Sequence, residues 1–476
     1  MSGSARQRSD ADVELTTRSA SELAALVRAR KLTATELLAA TLRRLKEVNP
    51  RLNAVVTINE QAHEDARALD ERLAGGEDVG PLAGLPVGIK DVTPVANVRT
   101  TFGSPLYADY VPDEDAEVVR RFRAAGAVIL GKTNTPEFAT GGNTFNEVFG
   151  RTRNPWDLGR SAGGSTGGGA AALAAGLIAL AEGTDLGGSL RIPASFCGIV
   201  GLRPSPGLVP THPSEFAWDT LQVTGPMART VEDVALALQC ISGPSERAPL
   251  AQPVHGRDFV AAARSVIPRG LRVAYSADVA GIGVDEGIAR ACQGAALSLS
   301  DAGATVHELA FDLAFARPAF LALRGHWMVA QQFARIPLIE RMGTNLAGNI
   351  RSGLQLTVES LGEAEQVRGR VWELFRDFFS RHDCLLTPCM AVAPFPVEQN
   401  YPDAIAGRPM ATYVDWLAPT FVLSLTGLPI ASVPCGLDAQ GLPIGLQIIG
   451  PPRGEERVLA VAAAVQRNCG IGLPVV

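Results

Sequence analysis

The stretch Gly163–Pro193, GGSTGGGAAALAAGLIALAEGTDLGGSLRIP, decides how this chain is read. It carries two hydroxyls set in glycine, Ser165 in GGSTGG and Ser189 in DLGGSLR, joined by a small-residue run that reads as a helix. Glycine permits positive φ and lets backbone approach a ligand closely, so a hydroxyl in such a setting is presented and not packed away. A flexible Gly/Ser linker has a similar opening composition, but a linker does not run straight into a compact helix former such as AAALAAG. A phosphate loop needs G-x-x-x-x-G-K-[ST], and no lysine follows these glycines. Gly167, Gly169 and the alanines imitate a dinucleotide fingerprint, with Glu182 or Asp185 near the ribose-binding distance. That fingerprint must follow a buried strand. The preceding RTRNPWDLGRS is too polar and too broken by proline to be one.

Outward from this stretch, 476 residues suit one large domain or two to three small ones. With 46% hydrophobic and 19% charged residues the composition is that of an ordinary globular protein. A formal charge of −6 leaves no dominant basic surface and does not invite direct nucleic-acid binding. The seven cysteines lack CxxC or Cys/His metal spacing and read as reduced thiols of a cytoplasmic protein. Met1–Arg18 is polar, has no signal-peptide pattern, and reads as a flexible, frayed N-terminal tail ahead of a single domain over 19–476. No apolar run reaches the roughly 18 residues of a membrane span, so none is expected.

Ser19–Lys46 reads as two amphipathic helices. Ser21 is a candidate cap of the first, with Leu23, Leu26 and Val27 on one face, and Thr33 or Thr35 opens the second. Ala54–Ile58 is a strand candidate, followed by a charged helix over Glu60–Leu73. PLAGLPVGIKDV is apolar until it stops at Lys90–Asp91, the pattern of a strand that delivers a lysine to its carboxyl end. A surface lysine at a strand terminus fits the same residues. Desolvation behind VGI would instead lower its pKa and make it a base. AEVVRRFRAAGAVILGKTN gives a helix, a glycine stop and a strand over Ala127–Leu130. The alternation recurs at Asp285–Ala310, and CLLTP (Cys384–Pro388), ASVPCG and IGLQIIG add strands. The fold class is therefore α/β, with a central mixed, mostly buried sheet covered by helices. Helices over Phe320–Arg335 and Val358–Arg381 bring Trp327, Phe333, Trp372 and Phe375 either over a site or into plain packing. The six histidines form no HExxH or similar ligand spacing, and Ser189 lacks a G-x-S-x-G setting. A serine nucleophile here needs a base other than histidine, and a lysine working through a second hydroxyl is available. No metal and no cofactor is expected.

Six segments, taken in order, resemble the amidase signature family of serine hydrolases. They are GLPVGIKDV (Gly84–Val92), GKTNTPEFA (Gly131–Ala139), RNPWDLGRSAGGSTGG (Arg153–Gly168), GTDLGGSLRIPASFCGIVGLRPS (Gly183–Ser205), TGPMARTVED (Thr224–Asp233) and GLPIASVPCG…GLPIGLQIIGPP. The resemblance runs from Ser19 to Gln466 and implies the amidase signature fold for 19–476. It implies a Ser–cis-Ser–Lys triad in which Lys90 is the base, Ser165 the bridging serine with a cis peptide, and Ser189 the nucleophile that carries the acyl group. Backbone N–H groups of Leu186, Gly187 and Gly188, with that of Ser189, are the candidate oxyanion hole. Asp185 and Arg191 flank the turn and are read as holding its shape. Thr166 stands where the family usually has a second serine, and Ser424 near where many members carry asparagine.

By family position, Ala139, Thr140, Gly141, Gly142 and Asn143 line the acyl site. Phe216 and Trp218 in His212–Thr220 supply an apolar wall, which favours hydrophobic amides. The implied function is hydrolysis of the carbon–nitrogen bond of small, hydrophobic amides, extending to esters, anilides or carbamates. Two alternatives stay open: a glutaminase subunit of a tRNA-dependent amidotransferase, and a non-catalytic binding protein of the same fold. The expected partner is a small-molecule amide, with no nucleic acid directly and no membrane; a homo-oligomer is left open.

Overall fold

The computed structural model describes residues 3–476. Eleven strands form one sheet: β1 (Val55–Ile58), β2 (Pro86–Lys90), β3 (Val128–Thr133), β4 (Leu180–Asp185), β5 (Val200–Arg203), β6 (Val223–Ala228), β7 (Arg272–Tyr275), β8 (Thr305–Glu308), β9 (Cys384–Pro388), β10 (Ile430–Leu437) and β11 (Pro443–Ile449). Their spatial order is β1-β3-β2-β4-β6-β5-β10-β11-β9-β7-β8. The triplets β3–β2–β4 and β9–β7–β8 run parallel, and the other neighbours are antiparallel. The sheet is mixed, as the sequence leads one to expect.

Successive residues of a strand face opposite sides, and two apolar cores use the two sides. Cys384 and Leu386 of β9, Ala431 of β10 and Ile448 of β11 join one core; Leu385, Ile430 and Ile449 join the other. Helices Ala34–Leu52, Gly167–Ala174, Val231–Ile241 and Glu455–Cys469 cover the first face. Helices Arg317–Gln332, Val358–Phe379 and Ala418–Ser424 build the second.

Local chemistry explains where the elements begin and end. Ser19, not Ser21, caps Ala20–Arg28, because Glu22 at the third helical position completes a capping box with it. The N–H of Ser21 is instead bound by Asp233. Thr33 caps Ala34–Leu52 in the same way with Glu36. The small-residue helix spans only Gly167–Ala174. It stops at Gly176, whose φ of +68° closes a Schellman turn with Gly176 N to Leu173 O and Leu177 N to Ala172 O. The next segment, LAEGTD, is strand β4, where the sequence suggests one continuous helical run. The strand expected at Ala127–Leu130 runs on through Thr133 and so takes Lys132 inside.

The N-terminal stretch read as a frayed tail is corrected in part. Gly3–Thr16 is helical, and the buried Asp12 accepts from both Nε and a terminal nitrogen of Arg43 at 2.7 Å, tying the helix to Ala34–Leu52. Met1 and Ser2 lie outside the described residues. Among those residues no helix is long and apolar enough to cross a membrane.

Candidate active site

The parallel triplet β3–β2–β4 turns its carboxyl ends to one side, the usual place for chemistry in such sheets. Lys90 is the last residue of β2, and Thr184 and Asp185 close β4 beside it. The loop entering helix Gly167–Ala174 then sets Ser165 against both. The helix lies this close to the sheet because Gly168 has no side chain. A Cβ there would sit 2.2 Å from the Asn134 backbone nitrogen.

Lys90 Nζ donates to Ser165 Oγ at 2.6 Å and to Thr184 Oγ1 at 2.9 Å, and all three residues are buried. Burial pushes the Lys90 ammonium down to about 7, against the opposing pull of the Glu182 and Asp185 carboxylates. The Gly164–Ser165 peptide is cis. The Ser189 carbonyl accepts the Thr166 N–H at 3.2 Å, which docks the Ser189 turn onto the Ser165 loop. Ser165, Thr184 and Ser189 line one small cavity of about 40 Å³. The three residues singled out from the sequence are thus brought together. Thr166 keeps its hydroxyl buried with no hydrogen-bond partner.

Asp185 organises the turn. Its carboxylate accepts the N–H of Gly188 (2.9 Å) and of Leu190 (3.2 Å), two bonds from Arg191 (3.0 and 2.9 Å) and one from Arg203 (3.2 Å). Burial alone would raise this carboxyl, but Arg191 and Arg203 hold it far below the usual carboxylate range. Arg191 reaches on to Gln447 Oε1 at 2.7 Å and Ser424 Oγ at 2.7 Å, so the serine at 424 is a member of the network that fixes the turn. Arg203 escaped the sequence reading. Only its spacing from Asp185 across two strands brings it in, and nothing local in VGLRPS signals that.

Of the expected oxyanion donors, Gly188 is corrected, since its N–H is given to Asp185. Leu186, Gly187 and Ser189 remain as the backbone donors at the turn. Gly188 serves geometry instead. Its φ is +125°, and a Cβ would lie 2.3 Å from Thr420 Oγ1.

The cavity wall combines expected and unexpected residues. Ala139, Gly141 and Gly142 line it. Thr140 does not, since its hydroxyl points at the Phe138 carbonyl (3.3 Å) and Met328 Sδ (3.9 Å). Nor does Asn143, whose amide is spent on the carbonyls of Val397 (3.1 Å) and Gln399 (2.8 Å) and on Ser161 Oγ (2.7 Å). Phe216 faces a separate small cavity and packs edge-on against His326. Trp218 is 69% exposed. Both expected aromatic wall residues are therefore corrected: their loop lies outside the apolar slot. The slot is walled by Phe138, Phe320, Trp327, Met328 and Phe421, with Phe320 and Phe421 stacked at 4.3 Å between ring centres. Helix Arg317–Gln332 therefore does cover the site with Trp327, whereas Phe333 and Trp372 are exposed and Phe375 is core. A wider cavity of about 340 Å³ adjoins, sharing Phe138, Ala139, Thr184, Gln222 and Trp327 with the slot and opening past His212–Glu215 and Arg335. Among the described residues no group of three or more His, Cys, Asp or Glu side chains is placed to hold a metal ion.

A buried lysine bonded to one serine, beside a second serine on a glycine turn, is the arrangement that a serine hydrolase working without histidine requires. The family model for Amidase matches residues 36–459, and the chain belongs to that family; it is an amide-hydrolysing enzyme. It is 37% identical over 453 residues to an acylamidase of Rhodococcus erythropolis, covering 94% of each chain. It is 35% identical over 483 residues to a glutamyl-tRNA(Gln) amidotransferase subunit of Carboxydothermus hydrogenoformans, covering 96% of this chain and 98% of that protein. Among solved structures it resembles a bacterial aryl acylamidase of the amidase signature family, with a TM-score of 0.88 and 30% identity, covering 94% of this chain and 96% of that one.

Proposed function

We propose that the chain hydrolyses small amides with an apolar acyl or amine group through an acyl-enzyme on Ser189. The observation that carries this reading is the Lys90–Ser165 bond at 2.6 Å in a cavity that also holds Ser189 and is walled by aromatic rings. With Lys90 neutral, the 2.6 Å contact runs from Ser165 Oγ–H to Nζ; Lys90 takes that proton as Ser165 takes that of Ser189, and Ser189 Oγ attacks the carbonyl. The oxyanion meets the N–H groups of Leu186, Gly187 and Ser189, each such donor being worth roughly 3 kcal/mol of barrier. The proton held at Lys90 returns through Ser165 to the departing amine, which leaves poorly without it. Water then frees the acid by the same relay. That all seven cysteines are free thiols supports work in a reducing, cytoplasmic setting.

The likeness to an amidotransferase component favours a second reading, glutamine hydrolysis within an assembly. Arg324 and Gln222 are polar groups on the slot wall that would meet an amino acid's charged end. One experiment addresses both. The purified chain alone is assayed for kcat/KM on an aryl amide and on glutamine, and a fluorophosphonate-treated sample is mapped by mass spectrometry. The expected result is preference for the aryl amide, an adduct on Ser189, and no turnover by Ser189→Ala. Glutamine preference, or activity only with partner subunits, favours the second reading; an adduct elsewhere overturns the nucleophile.

A further inference from the structure

The relay uses one buried lysine, and the fold buries a second. Lys132 of β3 lies across the parallel β2–β3 pair, where Ile89 is in register with Lys132 and Lys90 with Thr133. Glu182 comes from β4, on the other side of β2. All three charged side chains, Lys90, Lys132 and Glu182, are fully buried. Glu182 Oε2 accepts the backbone N–H of Lys90 at 3.1 Å, and Oε1 accepts the Thr93 hydroxyl at 3.0 Å. Burial pushes this carboxyl up, and Lys90, the two hydrogen bonds and Lys132 pull it back towards the ionised form. Lys132 Nζ donates to the Thr93 carbonyl and to Thr100 Oγ1 (3.1 Å). Thr93 therefore bridges the two, its hydroxyl to the carboxylate and its carbonyl to the ammonium. A buried charge without a counter-charge is costly, and Lys132 is offset by Asp91 and by Glu182, whose Oε2 holds the backbone N–H of Lys90.

We propose that Lys132 and Glu182, bridged by Thr93, are a pair of positioning residues whose balanced charges set the proton affinity of Lys90. The inference rests on Lys90 being the neutral base of the proposed relay. Lys90 is acted on by the Glu182 and Asp185 carboxylates from β4, whereas Lys132, in register with Ile89 on β2, acts on Glu182. Asp185 is offset by Arg191 and Arg203. Asp91 faces Lys132 and Arg99 and is bonded by the N–H and hydroxyl of Thr101. Glu182 is left as the carboxylate that would keep a proton on Lys90, and Lys132 is the cation that opposes it. Burial lowers Lys132 to about 8, with Asp91, Glu182 and Asp115 working the other way and favouring its ammonium form. Neither residue touches the reacting atoms.

The test is kcat/KM against pH for the wild type, Glu182→Gln, Lys132→Met and the double variant. A base that must be neutral gives a rate that falls on the acid side. Removing the carboxylate should move that acid limb to lower pH, and removing the cation should move it to higher pH. Each shift is about one pH unit or more, as expected for a charge a few ångströms away. The double variant should return towards the wild type. Shifts in the same direction, or none, overturn the proposal, as does disappearance of the limb in Lys132→Met, which would make Lys132 the titrating group. Should Lys132→Met fail to fold, Glu182→Gln, a near isostere, decides by the direction of its shift alone. Lys90→Arg is run alongside. A dead Lys90→Arg with unshifted limbs defeats only the pair, whereas an active Lys90→Arg defeats the reading of Lys90 as the base and the pair with it.

Discussion

The role proposed for Lys90 requires that it stay dry. In water its ammonium holds its proton to a pH of about 10.4; buried between β3 and β4 it is brought to about 7. Activity should therefore be high above pH 7 and fall as pH drops below it, as the folded lysine takes up a proton. Lys90→Ala should lose at least about 10²-fold in kcat, the usual worth of a general base. Lys90→Arg should do no better, because arginine stays protonated. A pH–rate profile of each variant checks both. The stability consequence has the opposite character to that of a paired lysine. Between about pH 7 and 10 the unfolded chain binds the proton that the folded one refuses, so stability rises with pH across that window. Asp185 is the reverse case, a carboxylate held ionised by two buried arginines. Its contribution is present above the ordinary carboxylate pKa of about 4 and lost only as pH falls far below it. Asp185→Asn leaves Arg191 and Arg203 short of their counter-charge and should cost about 3–5 kcal/mol in a denaturant melt, with kcat falling as the turn loosens.

The helix Arg317–Gln332 gives the slot its shape, while the loop bearing Trp218 does not. Trp327→Ala should raise KM for an aryl amide about tenfold, the equivalent of about 1.4 kcal/mol of lost contact. Trp218→Ala, altering an indole that is 69% exposed, should leave KM unchanged. Steady-state kinetics on the two variants separates the elements. The same contrast shows what the sequence discloses. Ser165 and Ser189 stand out locally in glycine turns, but Lys90 at its strand end reads equally as a surface lysine, and only the family resemblance joins the three as a triad. The strand β2 was legible from its apolar run, and the helix Gly167–Ala174 from its alanines but not where it stops. The wall was not, because Phe320 and Trp327 lie about a hundred residues from Phe421 and meet it only through helix packing. Strand β4 was hidden for a different reason. LAEGTD carries Glu182, Thr184 and Asp185 in a fully buried strand, and burial of such residues is paid for by partners, Lys132 through Thr93 and Arg191, that no local window contains. Gly188 misled in the same way. Its turn looks like a donor site, but its N–H belongs to a carboxylate three residues earlier.

Across the whole molecule, both cores hang on one sheet, and alternate residues of β9, β10 and β11 serve opposite cores. Neither core can lose its packing while the sheet survives intact, so the two should open together. The cysteines report this without any added label. Cys197, Cys292, Cys384 and Cys435 are buried in one core and Cys389 in the other, while Cys240 and Cys469 are partly exposed. Burial pushes the Cys384 and Cys389 thiols up to about 12, and the thiolate is the reactive form. A thiol reagent at neutral pH should therefore modify at most Cys240 and Cys469 in the native protein, with Cys240 slow because burial also raises its thiol to about 12. The remaining five should react only on unfolding. In increasing denaturant, Cys389 and Cys384 should become reactive along one transition, each followed by mass spectrometry of its own peptide. If Cys389 reacted at denaturant concentrations where Cys384 stayed protected, the core around the slot would be a separate unit. Lys90, Ser165 and Ser189 would then be held by a sheet only one face of which is secure.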